Sequence, residues 1–116
     1  MSIIKGSGAT VQASTTSNST SLSQSVGTNY LTEVYVSIVQ SGSTASVAAT
    51  VQVQISPDGS TFYAPASLLV TAGLSVGTYN WCLMIPTSAI NFKTVFTAAV
   101  TGTSTCVIQS NAVTGV

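Results

Sequence analysis

The chain has 116 residues, of which only 3% are charged, and it contains no histidine. Soluble domains normally devote about a quarter of their residues to Asp, Glu, Lys and Arg, whereas the formal charges here are limited to Lys5, Glu33, Asp58 and Lys93. Without histidine the chain lacks the commonest general base and metal ligand. A net charge of zero gives no electrostatic reason to expect binding to nucleic acid or to an anionic membrane.

The remaining composition indicates a single all-β domain. The chain is 45% hydrophobic, with 19 serines and 18 threonines, and valine, isoleucine and threonine together make up 40 residues. β-Branched side chains suit pleated sheet and disfavour helix, and no apolar stripe at helical spacing extends over about twelve residues. We expect an antiparallel β-sandwich or a small jelly roll. No run of about eighteen apolar residues exists, so no membrane span is predicted.

The first 29 residues are low in complexity and rich in small polar side chains. Such a segment cannot bury enough apolar area to order by itself. We expect an extended N-terminal arm over residues 1–29, with one short strand near residues 21–26, followed by the sandwich domain over residues 30–116. The arm is either a loose terminus or a segment that orders on a neighbouring subunit through Val11, Leu22 and Val26. In the second case, deleting residues 1–26 should leave the core folded but weaken assembly.

Alternating apolar residues from residue 34 onward predict the first strands of the domain. The inward positions of the first strand are Val34, Val36 and Ile38. The clearest half-buried strand covers residues 47–55, where the apolar side chains fall on odd positions. In the Pro-Asp-Gly sequence that follows, we expect Asp58 to form a turn by bonding to its own backbone and Gly59 to adopt positive φ.

Two more strands follow. The first, residues 78–85, places Tyr79, Trp81, Leu83 and Ile85 on one face, and its Trp81 is expected in the core. The next strand places Phe92, Thr94, Phe96, Ala98 and Val100 on one face. A Thr-Gly-Thr loop at residues 101–103 then predicts a hairpin with residues 105–109, and the whole pattern predicts six to eight strands.

No set of side chains in the sequence matches a catalytic or metal-binding pattern. Glu33 and Asp58 are the only acids, and nothing in the strand pattern converges them into one pocket. Cys82 and Cys106 cannot complete a zinc site without histidine. Each lies in a predicted inner strand, where a free cysteine behaves as a small hydrophobe, and a disulfide is possible if their strands are neighbours. We therefore expect no enzyme, no cofactor and no metal.

From about residue 47 the order of features resembles small β-sandwich structural proteins of tailed-phage virions. The similarity covers about 70 residues: a strand at residues 51–56 that enters an Asp-Gly turn before Phe62 and Tyr63, the Gly-Thr-Tyr-Asn-Trp sequence at 77–81, and the closing strands around residues 92–96 and 101–103. The resemblance implies a non-enzymatic virion component of the head-decoration or minor-capsid type. Such a protein is used in many copies, binds copies of itself and other virion proteins, and is assembled into particles in the host cytoplasm.

Two alternatives remain open at this stage. A cell-surface or extracellular filament subunit could donate residues 9–26 as a strand to the next subunit, and would carry a processed N-terminus. A carbohydrate-binding module would need Trp81 or a pair of tyrosines exposed on one face, and is disfavoured because acidic residues are nearly absent.

Overall fold

A computed structural model describes residues 3–6, 8–26 and 31–115. The predicted boundary between arm and domain, at residues 29 and 30, lies outside the described residues. Within the described part the chain is almost entirely strand, with one short 3-10 turn at Ala66–Leu68. The strands are β1 (Ile3–Lys5), β2 (Ala9–Thr15), β3 (Ser19–Thr20), β4 (Gln24–Ser25), β5 (Leu31–Ser41), β6 (Thr50–Ser56), β7 (Leu69–Thr71), β8 (Gly77–Ile85), β9 (Asn91–Thr97) and β10 (Thr103–Gly115).

These strands form two antiparallel sheets. The first sheet has the order β1-β10-β5-β8, and β2 also pairs with β10. The second sheet has the order β3-β9-β6-β7, and β4 also pairs with β9. The inner faces of the two sheets meet in one hydrophobic core. The prediction of an all-β antiparallel sandwich is therefore confirmed.

The core is built by the alternation that the sequence shows. The largest fully buried side chains from the first sheet are Val34, Val36, Ile38, Gln40, Cys106 and Ile108, and those from the second are Val51, Val53, Ser56, Phe92, Thr94 and Phe96. Burying each large apolar side chain contributes about 1.5–3 kcal/mol. The inward face predicted for β8 is also confirmed, since Tyr79, Trp81 and Leu83 are half-buried against the core and Ile85 is buried.

The predicted hairpin between residues 92–100 and 105–109 is wrong. β9 lies in the second sheet and β10 in the first, so the loop between them crosses from one sheet to the other. Thr101 and Gly102 both adopt positive φ, at 69° and 74°. Two successive left-handed residues redirect the chain, and the 13-residue β10 finds its partner in β5, more than 60 positions earlier.

The strand predicted over residues 47–55 begins later than expected. β6 starts at Thr50, and Ala49, Val51 and Val53 are buried as predicted. Val47 lies outside the strand, forms an isolated bridge with Val100, and is 56% exposed. Val47 therefore departs from the predicted inward face, because at this residue the chain has not yet entered β6.

The N-terminal segment is extended and pairs with its own chain. β1 and β2 pair with β10, whereas β3 and β4 pair with β9. Four strands, one of seven residues and three of two or three residues, therefore replace the single strand expected near residues 21–26. An arm that reaches a neighbouring subunit remains a prediction.

Candidate assembly surfaces

The three residues predicted to carry assembly have different environments. Val26 is 6% exposed and belongs to the core, and Val11 is half-buried against it. Leu22 is 85% exposed. The structure thus places two of the three inside the sandwich of their own chain and leaves Leu22 as the one available to a partner.

A buried polar network ties the N-terminal segment to both sheets, and sequence reasoning missed it. The Thr94 hydroxyl on β9 donates to Gln12 Oε1 on β2 at 2.7 Å, and the Gln12 amide donates to the Ser19 hydroxyl. The Ser21 and Thr94 hydroxyls lie 2.7 Å apart, and the Thr94 backbone N–H donates to Ser21 Oγ at 3.0 Å. The sequence feature that could have indicated this network is Gln12, a long amide side chain in a segment of small polar residues. Its amide is long enough to reach from one sheet to the other.

The Asp58 turn is held by hydrogen bonds to one carboxylate oxygen. Asp58 Oδ1 accepts from the backbone N–H groups of Thr61 and Ser60, each at 2.8 Å, and from the Ser56 hydroxyl at 2.9 Å. Gly59 adopts φ of 82°, which only glycine reaches without strain. The hydrogen bonds from Thr61, Ser60 and Ser56 lower the pKa of Asp58 below its usual value, so the carboxylate is committed to the turn.

Glu33, Tyr35 and Cys82 meet on the outer face of the first sheet. The Cys82 thiol donates to Glu33 Oε2 at 3.2 Å, and the Tyr35 hydroxyl lies 3.4 Å from the same oxygen. The Glu33 charge is the main reason that the pKa of Tyr35 is raised. Desolvation and then Glu33 raise the pKa of Cys82. Because the thiolate is the nucleophilic form, this environment makes Cys82 less reactive.

The two cysteines are free, and the structure separates them. Cys106 on β10 is fully buried, and burial raises the pKa of its thiol to about 12. Cys82 is exposed on β8, which is an edge strand of the first sheet and not the inner strand that was predicted. The strand β5 lies between β8 and β10, so the two thiols cannot form the disulfide that the sequence left open.

The aromatic residues do not form a stacking platform within the described part of the chain. Trp81 packs against the core, whereas Tyr35 and Tyr63 are exposed on different sheets. The Lys93 ammonium lies 4.5 Å from the centre of the Phe62 ring, a distance suited to a cation–π contact. The residues that a sugar-binding module would need on one face are therefore dispersed.

One end of the sandwich is free of charge and exposes aliphatic side chains. The loops that join β5 to β6, β7 to β8 and β9 to β10 all cross between the sheets at this end, and none contains a charged residue. We call residues 42–49, 72–76 and 98–102 the crossover end. Backbone pairing holds it together, through Ala45 N–H to Leu74 O and the bridge between Val47 and Val100. Its exposed apolar side chains are Val47, Leu74, Val76 and Val100, which are 46–58% exposed.

The four charged residues lie away from the crossover end. Glu33 pairs with Met84, seven positions along β5 and β8 from the Gln40–Gly77 pair that borders this end. Lys93 pairs with Gln54, four positions from the bordering Thr50–Thr97 pair. Asp58 follows the far end of β6, and Lys5 lies opposite Val113 near the far end of β10. The crossover end can therefore approach another apolar surface without desolvating a formal charge.

Neither a metal-binding cluster nor a membrane-spanning helix occurs among the described residues. No three His, Cys, Asp or Glu side chains in these residues gather closely enough to hold a metal ion. Residues 3–6, 8–26 and 31–115 include no helix with the length and hydropathy needed to cross a membrane.

Comparison with known proteins identifies the fold. No protein-family model matches the chain, and no curated protein matches it in sequence. The crystal structure of the SPBc2 prophage-derived protein YomS is similar over 98% of this chain and 96% of that chain, with a TM-score of 0.58 and 16% identity.

Two larger proteins contain a similar domain. The PBSX exported protein XepA matches over 99% of this chain and 38% of its own, with a TM-score of 0.52 and 14% identity. A structure of infectious bursal disease virus, Gx strain, matches over 97% of this chain and 32% of its own, with a TM-score of 0.52 and 15% identity. The chain therefore shares its β-sandwich fold with a prophage-derived protein, an exported protein named for PBSX and a viral protein.

Proposed function

We propose that this protein is a non-enzymatic structural component of a phage particle, of the head-decoration or minor structural type. It works by association: copies of the chain bind each other and other virion proteins through apolar surfaces and sheet edges. The mechanism needs no cofactor and no reacting side chain. What it needs is a rigid sandwich that presents uncharged surface to its neighbours.

The observation that carries this proposal is the crossover end. Four aliphatic side chains about half exposed in one charge-free set of loops are unfavourable in water, and their burial against a partner is favourable. Because the loops carry no charge, binding there avoids the desolvation cost that charged interfaces incur. The polar remainder of the loops is Ser, Thr and Gly, which keep the free protein hydrated.

The similar structures support the viral setting of the proposal. One carries a prophage-derived name and covers nearly the same length as this chain, and another belongs to a virus.

Mass spectrometry and immunogold labelling of density-purified particles from the source test the location. We expect the protein in intact particles, at a copy number that matches a repeated structural position. Its absence from purified particles, together with its presence in the soluble fraction or on cell surfaces, would contradict the proposal.

Charge introduced at the crossover end tests the mechanism. The double variant Leu74→Lys/Val76→Lys should reduce the oligomer size in analytical ultracentrifugation and the incorporation into particles. Both side chains are exposed, so the fold should tolerate lysine at these positions. Tyr63→Lys/Leu69→Lys adds the same charge at two positions of similar exposure outside the crossover end and should assemble normally. Equal behaviour of the two variants would remove the crossover end from the mechanism.

The two alternative functions receive less support. A filament subunit that donates residues 9–26 would first have to release β2, β3 and β4 from β10 and β9, together with the buried Gln12–Thr94 hydrogen bond. A carbohydrate-binding module would need Trp81 exposed, whereas in this structure Trp81 packs against the core.

A further inference from the structure

The sandwich ends in four sheet edges, and three of them are short or irregular. In the second sheet, one edge is the three-residue β7, and the other is divided between β3 and β4, of two residues each. In the first sheet, β1 and β2 share one edge, and the pairing of β2 with β10 contains register shifts between Cys106 and Gln109. Short strands and bulges are the usual means by which proteins prevent edge-to-edge pairing.

The fourth edge, β8, has none of these protections. It extends over nine residues, Gly77–Ile85, and its pairing with β5 is in continuous register from Thr32↔Ile85 to Gln40↔Gly77. Among the described residues β8 pairs with β5 alone. Its sequence contains no charge and no proline, although lysine and proline are the residues that commonly block such edges. A regular edge of this length presents unpaired backbone groups that fit another strand.

We propose that β8 pairs antiparallel with β8 of a second copy about a two-fold axis, so that the two first sheets become one continuous sheet. This inference refines the proposed association between copies and rests on that proposed function. A second copy fits because β8 itself carries no charged side chain, so directly opposed residues bring no like charges together; the nearest formal charge, Glu33, belongs to β5, one strand from the edge. An isologous interface of this kind is closed, and its product is a dimer.

The two-fold symmetry also matches the faces of the strand. Directly opposed residues in an antiparallel pair lie on the same side of the sheet, so odd-numbered residues of one copy oppose odd-numbered residues of the other. The half-buried Tyr79, Trp81 and Leu83 therefore oppose residues of this same inward-facing set in the other copy. The exposed Asn80 and Cys82 likewise oppose outward-facing residues.

Cys82 allows a direct test by oxidative crosslinking. Opposed residues of an antiparallel pair have Cα atoms about 4.5 or 5.5 Å apart, which is within the range of a disulfide. Cys106 is fully buried, so a crosslinked dimer of the native protein must form through Cys82. Single-cysteine variants Thr78→Cys, Asn80→Cys and Met84→Cys, each combined with Cys82→Ser, extend the scan along the outer face.

The expected result is a sharp dependence on position. Moving two residues from the axis separates a residue from its own counterpart by four strand positions, or about 14 Å. If the axis passes through an outward-facing residue, crosslinking should peak at that position and decline on either side. If it passes through an inward-facing residue such as Trp81, residue 80 of one copy opposes residue 82 of the other, so Asn80→Cys with Cys82 retained should crosslink more than any single-cysteine protein. Val107→Cys with Cys82→Ser is the matched control, because Val107 is exposed on the same face but two strands from the edge. Yields that do not exceed this control at any position would overturn the proposal.

Lysine substitution provides an independent measurement. Thr78→Lys/Asn80→Lys should weaken dimerisation about tenfold in sedimentation equilibrium, while Val107→Lys/Gln109→Lys, with the same added charge on β10, should not. A monomer at all concentrations up to the solubility limit, or equal weakening by both pairs, overturns the β8 dimer. A disulfide between Cys82 and a different virion protein would overturn the choice of a second copy.

These outcomes are separable from the proposed function. Particles that contain the protein as a monomer would refute the β8 dimer and support the virion role. A β8 dimer of a protein that is missing from purified particles would support the interface and refute the virion role. The variant Leu74→Lys/Val76→Lys should leave crosslinking through Cys82 unchanged, because these loop residues lie outside β8.

Discussion

Thr94→Val should destabilise the protein although it removes a single hydroxyl group. Thr94 is fully buried on β9, and its hydroxyl is the donor to Gln12 Oε1 at 2.7 Å. Valine has nearly the same shape, so packing changes little while the buried acceptor on Gln12 loses its partner. The Ser21 hydroxyl, which donates to Thr94 Oγ1, also loses its acceptor, but Ser21 is only half-buried, so water can replace it, and the Thr94 backbone N–H still donates to the Ser21 oxygen.

The expected penalty follows from the single orphaned group. Leaving a buried acceptor unsatisfied costs about 1–3 kcal/mol, and Gln12 is only 8% exposed. For a domain of this size, each kcal/mol lowers the melting temperature by about 4 °C, so we expect a decrease of about 4–12 °C. The double variant Gln12→Met/Thr94→Val replaces both partners with apolar groups and should recover most of the loss.

Urea unfolding monitored by Trp81 fluorescence measures these differences. Trp81 is the only tryptophan and is half-buried against the core, so its emission should report global unfolding. Thr97→Val, at an exposed position of the same strand, is the control and should change the free energy of unfolding by less than about 0.5 kcal/mol. The hydrogen bond between Gln12 and Thr94 does not stabilise the contact between the sheets if Thr94→Val changes the free energy of unfolding no more than Thr97→Val does. The same conclusion follows if the penalties of Gln12→Met and Thr94→Val simply add in the double variant.

Deleting residues 1–26 should abolish cooperative thermal unfolding in calorimetry, because the deletion exposes the edges of β9 and β10 and removes buried Val26. Retained cooperativity would instead favour the sequence-based prediction that residues 1–26 form an arm that the core does not need. Stability should fall in acid partly through Asp58, because the pKa of this carboxyl is lower in the folded than in the unfolded protein. Its ionised form therefore stabilises the fold at pH values above the unfolded-state pKa, and this contribution is lost as the pH falls through the folded-state pKa. In Asp58→Ala this part of the pH dependence of the melting temperature should vanish, and an unchanged profile would refute it. Mass spectrometry after treatment with a thiol reagent should find one label in the native protein, on Cys82, and a second on Cys106 only in urea; two native labels would contradict the burial of Cys106. Self-association should change little with ionic strength because charge is scarce, and steep dissociation in salt would indicate an ionic interface.

Local patterns predicted the inward faces of most long strands. Alternation placed Val34, Val36 and Ile38 inside, and the same reasoning placed Phe92 and Phe96, because a side chain on a pleated strand must point to one face or the other. The Asp-Gly sequence likewise indicated a turn, since its chemistry depends on a few neighbouring residues. Such information is local, and the sequence contains it directly.

The pairing of the strands depends on contacts between distant residues. A Thr-Gly-Thr loop after β9 is compatible with a hairpin, yet β10 pairs with β5 because that pairing extends from Thr103↔Ser41 to Val113↔Leu31. The polar N-terminal segment looked unable to order by itself, and β9 and β10 supply the backbone partners that it lacks. For the same reason Cys82 was expected on an inner strand: among the described residues β8 pairs with β5 alone and is therefore an edge strand.

By itself, the sequence determined the fold class, the low charge and the direction of alternation, because β-branched content and period-two patterning act within each strand. Only the tertiary structure decided that the uncharged loops gather at one end, that Gln12 reaches Thr94, and that β8 remains the long open edge. These features arise from the register and order of strands far apart in the chain. Burial against a partner strand sets that order, and no local pattern encodes it.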